Sequence, residues 1–373
     1  MGAEKARRAL RHVTSINDLS NNEIEDIFSL AACYLDKLAD KSAPHRVGKG
    51  TGVAKGRILA CLFYEPSTRT RLSFESAMLR LGGQTISSAD PSASSAAKGE
   101  SLADSIRMVG SYADVIVIRH PRDGAAKLAA EYSTVPVING GDGAHEHPTQ
   151  TLTDLFTLKR EKKKLKGLNV AIAGDLKGGR TVHSLVYALA RFGANIIPMP
   201  AKGMELPAHV ERRVRDEFRG ILLSESSDVP RDALYVTRFQ KERWADKSLT
   251  YSKIDAQFLK DLRFAKTLVM HPLPRVDELD PALDSDARAA YFRQAAYGVP
   301  VRMALLTLLL GLEKKSKLGR FDAPHSSKEG MLCTNANCIV HDAAEKRFAQ
   351  NKFFALKSPP PRLRCFYCET DID

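Results

Sequence analysis

Residues 57–81 read RILACLFYEPSTRTRLSFESAMLRL. Arg57–Phe63 forms a short aliphatic run without polar alternation, which suits a strand buried on both faces of a parallel sheet. From Thr68 the period changes. Phe74, Met78 and Leu81 recur at i, i+4 and i+7, predicting a helix over 68–81 with one buried stripe. Ser67 or Thr68 is placed to cap that helix, and the free N–H groups of its first turn make an anion site. Arg69 and Arg71 in the same turn oppose the positive end of the helix dipole. Two arginines flanked by Ser67, Thr68 and Thr70 are accounted for by a bound dianion that reverses the local field, since local rules fail at functional sites.

The same alternation continues outward from this segment. Strands are predicted at Val115–Ile118, Val135–Ile138, Asn169–Ala173, Ile196–Met199, Ala233–Val236 and Thr267–Met270. Helical patterns fill the intervals at Ser101–Ser111, Thr149–Arg160 and Thr181–Phe192, the last stopping at Gly193. Strand–helix alternation at this pitch implies an α/β chain of doubly wound parallel-sheet domains. With 373 residues, 43% of them hydrophobic, two such domains and a smaller third can each have a core. The expected division is 1–148, completed by an apolar helix within 297–315; 149–296; a polar linker 316–330; and a small cysteine-rich β domain, 331–373.

Ligands of open parallel sheets bind beyond the carboxyl ends of the strands. Those ends lead here into Glu65–Arg71, Arg119-His120-Pro121, Gly174–Arg180, Thr237-Arg238-Phe239-Gln240 and His271-Pro272-Leu273-Pro274-Arg275. Each of the five delivers an arginine or a histidine, so several anionic groups are the expected guests. His147-Pro148-Thr149-Gln150 opens a further helix, leaving His147 and Gln150 to face the cleft between the domains. His145-Glu146-His147 lacks the i, i+4 helical spacing of a zinc hydrolase, so no catalytic metal is expected there. The Gly174–Arg180 loop lacks G-x-G-x-x-G spacing, which removes a dinucleotide-binding reading.

The six cysteines are unevenly placed. Cys33 and Cys61 sit in apolar surroundings and read as buried thiols. Cys333-x4-Cys338 and Cys365-x2-Cys368 are two pairs at a spacing that closes a tetrahedral zinc site, and so short a segment needs such a staple. The net charge of +12 is scattered, with its densest run at Lys159–Lys166 reading as a solvated helix end. No row of aromatics is interleaved with arginines, so nucleic acid is not an expected partner. No stretch of 18 apolar residues appears, so no membrane span is expected. The basic N-terminal segment lacks an apolar core and a cleavage site, making a cytoplasmic location the expectation.

Phe63–Arg71, Arg119-His120-Pro121, His147–Gln150 and His271–Arg275 together resemble the carbamoyltransferase family, in that family's order and over roughly residues 8–315. The likeness is strongest to its aspartate-specific catalytic chains. His271-Pro272-Leu273-Pro274 stands where ornithine enzymes typically carry His-Cys-Leu-Pro, and an arginine at Arg238 suits a carboxylate side chain and repels an ammonium. The resemblance implies transfer of the carbamoyl group of carbamoyl phosphate to L-aspartate, an early step of pyrimidine biosynthesis. By position it implies that Ser67, Thr68, Arg69, Thr70 and Arg119 hold the phosphate. Arg69, Thr70 and His147 would polarise the carbonyl, while Gln150 and the carbonyls of Leu273 and Pro274 would receive the carbamoyl amide. Arg180, Arg238, Gln240 and Lys98 would bind aspartate. Ser94 and Lys98 lie in a loop resembling one that reaches a neighbouring subunit, which implies a homotrimer with shared active sites. The segment Cys333–Cys338 with Cys365–Glu369 resembles the zinc domain of the family's regulatory chains, whose nucleotide-binding domain is missing here. The tail is thereby expected to carry structural zinc and to act as an assembly contact between subunits or trimers, with no cofactor needed for catalysis.

Overall fold

A computed structural model describes residues 11–88, 98–239, 253–313, 326–327, 331–356 and 362–372. The chain forms two compact units, Met1–Pro148 with Arg302–Asp373, and Thr149–Val301.

The first unit is built on a four-stranded parallel sheet. Its strands are β1 (Ile58–Phe63), β2 (Gln84–Ser88), β3 (Val115–His120) and β4 (Val137–Asp142), in the spatial order β2-β1-β3-β4. Helix α1 (Asn21–Leu38) starts at a reciprocal capping box between Ser20 and Glu23. Helices α2 (Thr68–Arg80), α3 (Leu102–Val109) and α4 (Ala125–Tyr132) connect successive strands. Phe74 and Met78 of α2 are fully buried, as their spacing predicts. Strand β2, by contrast, has no aliphatic run, because it is a largely exposed edge. Strand β4 runs past the expected Val135–Ile138 into Asn139-Gly140-Gly141-Asp142. These residues read as a turn, yet they are buried, and Asn139 Nδ2 donates to the Asp142 carboxylate at 2.8 Å and to the Thr14 carbonyl at 2.8 Å.

The second unit carries a five-stranded parallel sheet. Strands β5 (Asn169–Gly174), β6 (Asn195–Pro200), β7 (Ile221–Leu222), β8 (Ala233–Val236) and β9 (Leu268–Met270) take the order β9-β8-β5-β6-β7. Its helices include α5 (Pro148–Lys162) and α6 (Arg180–Arg191). Helix α7 spans Tyr291–Leu309, starting and ending earlier than the expected 297–315, with Pro300 inside it.

The cysteine-rich tail forms a small antiparallel sheet of β10 (Ser326–Ser327), β11 (Lys352–Leu356), β12 (Arg362–Cys365) and β13 (Asp371–Ile372). It packs on α3 and α4 of its own chain. Ile339, Phe353 and Tyr367 share one core with Leu102, Ile106 and Leu128. Polar contacts fasten the seam: Tyr367 donates to Glu131 at 2.7 Å and Tyr132 to the Phe348 carbonyl at 2.9 Å. Gly124 sits so close that a Cβ there would lie 2.6 Å from Tyr367.

Candidate active site

Each parallel sheet places its polar loops at a switch point. From β1 the chain passes to β2 on one side, then returns to β3 on the other, so the loops after β1 and β3 diverge around a crevice. In the second sheet β5 has β6 on one side and β8 on the other, and the loops after β5 and β8 diverge likewise.

In the first unit, Phe63 pairs with Arg119 across the register, and the Tyr64 N–H donates to the Arg119 carbonyl at 2.8 Å. This brings Arg119 beside the Glu65–Thr70 segment. Ser67 occupies the N-cap of α2, but its side chain makes no capping bond, and the first turn holds no acidic residue. The helix therefore starts without the usual internal answer to its positive end. Thr68 and Arg69 are exposed and Ser67 is half-buried. Thr70 is buried, with Oγ1 3.4 Å from Nε2 of the buried His147. Arg119 Nη2 donates to Glu65 Oε1 at 3.3 Å. Arg71 lies 3.9 Å from Glu75, one turn along its own helix. Lys98 is exposed, and Ser94 lies outside the described residues.

In the second unit, Gly174 ends β5 at φ 110°, where a Cβ would meet the Thr237 carbonyl oxygen at 2.3 Å. That close approach sets the Gly174 and Thr237 loops side by side. The first leads to Arg180, buried at the first position of α6; the second leads to the half-buried Arg238, anchored by the buried Phe239. Gln240 lies outside the described residues. Leu273 holds a left-handed backbone, φ 54°, and the Leu273–Pro274 peptide bond is cis. Gln150 lies on the first turn of α5, three residues after His147.

Sequence reasoning missed the groups behind these residues. His271 is buried between Glu278, 2.7 Å from its Nε2, and the Leu273 N–H, which donates to its Nδ1 at 2.7 Å. Burial opposes the Glu278 charge, but hydrogen bonds from His271 and the backbone outweigh it and lower its titration. Asp154 is fully buried and accepts from Gln150 at 2.7 Å. The i, i+4 spacing of Gln150 and Asp154 was the one available signal.

The His145-Glu146 pair is held as an ionic network. His145 Nδ1 lies 3.2 Å from Asp142, while Glu146 accepts from Ser15 Oγ at 2.6 Å and from the Ile16 N–H at 2.8 Å. Burial penalises the His145 charge, but Asp142, Glu146 and Glu369 together outweigh it and raise its pKa to about 10. The four tail cysteines do suit a metal. All are unoxidised, and their sulfurs lie within 4.8 Å of one another, with Cys333–Cys368 at 3.4 Å and Cys338–Cys365 at 3.8 Å. A tetrahedral thiolate site with zinc–sulfur bonds of about 2.3 Å needs sulfurs about 3.8 Å apart.

Comparison with known proteins bears on both halves. Residues 11–160 match the carbamoyl-P binding domain of aspartate/ornithine carbamoyltransferases, and residues 166–309 match their Asp/Orn binding domain. Residues 328–373 match the metal binding domain of the aspartate carbamoyltransferase regulatory chain. The aspartate carbamoyltransferase catalytic subunit of Methanothrix thermoacetophila is 50% identical over 311 residues, covering 80% of this chain and 98% of the relative. That of Thermococcus gammatolerans is 48% identical over 312 residues, covering 81% and 98%. The solved catalytic subunit of M. jannaschii aspartate transcarbamoylase superposes with a TM-score of 0.72 at 44% identity, covering 81% of this chain and 98% of that one. The Trypanosoma cruzi aspartate transcarbamoylase, solved with carbamoyl phosphate and aspartate, gives 0.71 at 37% identity, covering 79% and 95%. On this evidence, with a regulatory-type metal domain fused behind the catalytic portion, the chain belongs to the aspartate carbamoyltransferase family.

Proposed function

We propose that this enzyme carries the carbamoyl group of carbamoyl phosphate to the amine of L-aspartate, releasing N-carbamoyl-L-aspartate and phosphate, an early step of pyrimidine biosynthesis. The observation that carries the reading is the division of labour between two switch points. One offers an uncapped helix N-terminus with Arg119, Thr70 and His147; the other offers two arginines, the buried Arg180 and the half-buried Arg238. A phosphate suits the first and a dicarboxylate the second.

Ser67, Thr68, Arg69, Thr70 and Arg119 hold the phosphate. Arg69, Thr70 and His147 stabilise the oxyanion formed when the amine attacks the carbamoyl carbon. Gln150 and the carbonyls of Leu273 and Pro274 accept from the carbamoyl amide. Arg180 takes the α-carboxylate of aspartate, and Arg238 with Gln240 takes the β-carboxylate. The new C–N bond forms as the C–O bond to phosphate breaks, and the departing phosphate takes the amine proton. Proximity of the two substrates supplies much of the acceleration. Residues 1–148 and 149–296 serve as the carbamoyl-phosphate and aspartate domains. Ser94 and Lys98 act in the site of a neighbouring subunit, within a cytoplasmic homotrimer. The four-cysteine module holds structural zinc and lends its outer surface to assembly.

The test is ureido-product formation from carbamoyl phosphate with aspartate and ornithine offered separately. Turnover with aspartate alone is expected. Turnover with ornithine alone would overturn the assignment of Arg238.

A further inference from the structure

The groups assigned to the carbamoyl amide share a buried polar support. Asp154, on α5, is fully buried, and three donors converge on its carboxylate. Gln150 Nε2 donates to Oδ1 at 2.7 Å, Gln294 Nε2 donates to Oδ1 at 2.6 Å, and the Tyr235 hydroxyl donates to Oδ2 at 2.9 Å. The chain of bonds continues from Gln294. Its Oε1 accepts the His271 N–H at 2.9 Å, and His271 Nδ1 accepts the Leu273 N–H at 2.7 Å. His271 Nε2 completes the ring's pairing at Glu278, 2.7 Å away.

The direction of each bond follows from chemistry. An ionised carboxylate accepts and does not donate, so the amide nitrogens of both Gln150 and Gln294 must turn toward Asp154. That leaves Gln150 Oε1 as the atom offered to substrate. It also points Gln294 Oε1 at the His271 backbone. There the imidazole must keep a lone pair on Nδ1 to receive Leu273, which places its proton on Nε2 toward Glu278. One buried charge thus fixes Gln150 directly and, through Gln294, steadies the turn that carries the Leu273 and Pro274 carbonyls.

We infer that Asp154 is a positioning residue that makes the carbamoyl-amide site acceptor-only, selecting an NH2 group over a methyl group at that position. The inference rests on the assignment of Gln150, Leu273 and Pro274 to the carbamoyl amide. Its physical basis is that a site built of hydrogen-bonding groups rejects an analogue lacking the partner, because its own polar atoms are then left unpaired. Acetyl phosphate is such an analogue: it has a methyl group where carbamoyl phosphate has its amide. In Asp154→Asn the side chain carries its own donor toward three existing donors, so at least one partner must rotate. A turned Gln150 would offer N–H to the substrate's N–H.

The experiment uses the full-length protein and measures the KM for carbamoyl phosphate and the inhibition constant of acetyl phosphate. Asp154→Asn is expected to narrow the preference for carbamoyl over acetyl phosphate by ~10-fold or more, the size of one lost hydrogen bond. The change should lie in the carbamoyl phosphate KM, with acetyl phosphate affinity nearly constant. Tyr235→Phe removes a donor from the other carboxylate oxygen, and is expected to lower Tm while keeping the preference. An unchanged preference in Asp154→Asn, or an equal loss in Tyr235→Phe, overturns the inference. Gln150→Ala separates the two levels. If it narrows the preference and Asp154→Asn does not, the positioning role fails and the site assignment survives. If Gln150→Ala itself leaves the preference intact, the site assignment fails. Should Asp154→Asn not fold, Gln294→Met removes one donor from Asp154 together with the acceptor of the His271 N–H, and a preference unchanged there counts against the inference.

Discussion

Asp123 and Asn337 hold each other twice, once through the backbone and once through side chains. The Asp123 N–H donates to the Asn337 carbonyl at 3.1 Å, and Asn337 Nδ2 donates to Asp123 Oδ1 at 2.9 Å. Asn335 Nδ2 adds a bond to Asp123 Oδ2 at 2.8 Å, and the Ile339 N–H donates to the Asp123 carbonyl at 2.9 Å. One residue of the carbamoyl-phosphate domain thereby registers the whole cysteine module. Asp123→Ala removes the side-chain half of this arrangement and leaves Asn335 and Asn337 short of partners. A loss of about 2–4 kcal/mol is expected, read as a lower Tm and faster amide exchange in residues 331–372. Unchanged exchange there would show that the shared apolar core is sufficient without Asp123.

Metal removal tests the same seam from the other side. One zinc per chain is expected by elemental analysis, bound by Cys333, Cys338, Cys365 and Cys368. Structural zinc contributes on the order of 10 kcal/mol to small domains of this kind. A strong chelator, or Cys365→Ser, should therefore unfold the module and expose the face of α3 and α4 that it covers, read as dye binding to the newly exposed apolar surface. A metal-free protein with full amide protection in the module would contradict this.

The two switch points predict separable kinetic defects. Arg69→Ala should lower kcat by ~100-fold or more, the effect typical of losing an oxyanion-stabilising donor. Arg238→Ala should raise the KM for aspartate at least ~10-fold, with little change in that for carbamoyl phosphate, because a charge-assisted hydrogen bond is lost from one substrate only. Parallel changes in both KM values would argue against separate subsites.

Stability should pass through a maximum near neutrality. Burial lowers both His12 and His120 to about 4, against an ordinary 6.5. The unfolded chain binds their protons more readily, so their contribution is present above pH 6.5 and lost as pH falls through 4. His145 has the opposite sign. Its folded pKa is raised, so its contribution is complete below pH 6.5 and lost as pH rises through 10. Tm measured from pH 4 to 10 should fall on both sides, and His145→Gln should flatten the alkaline limb. An unaltered alkaline slope in that variant would remove His145 from the account.

Much of this fold is legible in the sequence because its strands are buried on both faces. Ile58–Phe63 and Asn169–Gly174 have to be aliphatic, and so they announce themselves. Gln84–Ser88 does not, because an exposed edge strand answers mainly to backbone pairing. The helix Tyr291–Leu309 runs through Pro300, whose local penalty the surrounding apolar packing overrides. In the site, side chains at strand ends stand out as charges without an evident structural role. Arg71 and Arg119 are exceptions, paired to Glu75 and Glu65. Asp154, Gln294 and Glu278 stay hidden for another reason. Asp154 and Gln294 are ordinary polar residues whose importance comes from each other, 140 positions apart in the chain, and Glu278 is one whose pairing with His271 depends on the turn between them. Only a folded chain brings such pairs together.

The seam between the cysteine module and α3 and α4 also changes how the contact responds to concentration. Two separate chains meeting through such a surface come apart on dilution, in proportion to their dissociation constant. Here Gly124 and Tyr367 belong to one polypeptide, so the encounter is unimolecular and its occupancy is independent of how much protein a cell makes. The stoichiometry of module to catalytic portion is also fixed at one to one by translation itself. A surface that two chains would have to share by mass action is, in this chain, a permanent intramolecular joint.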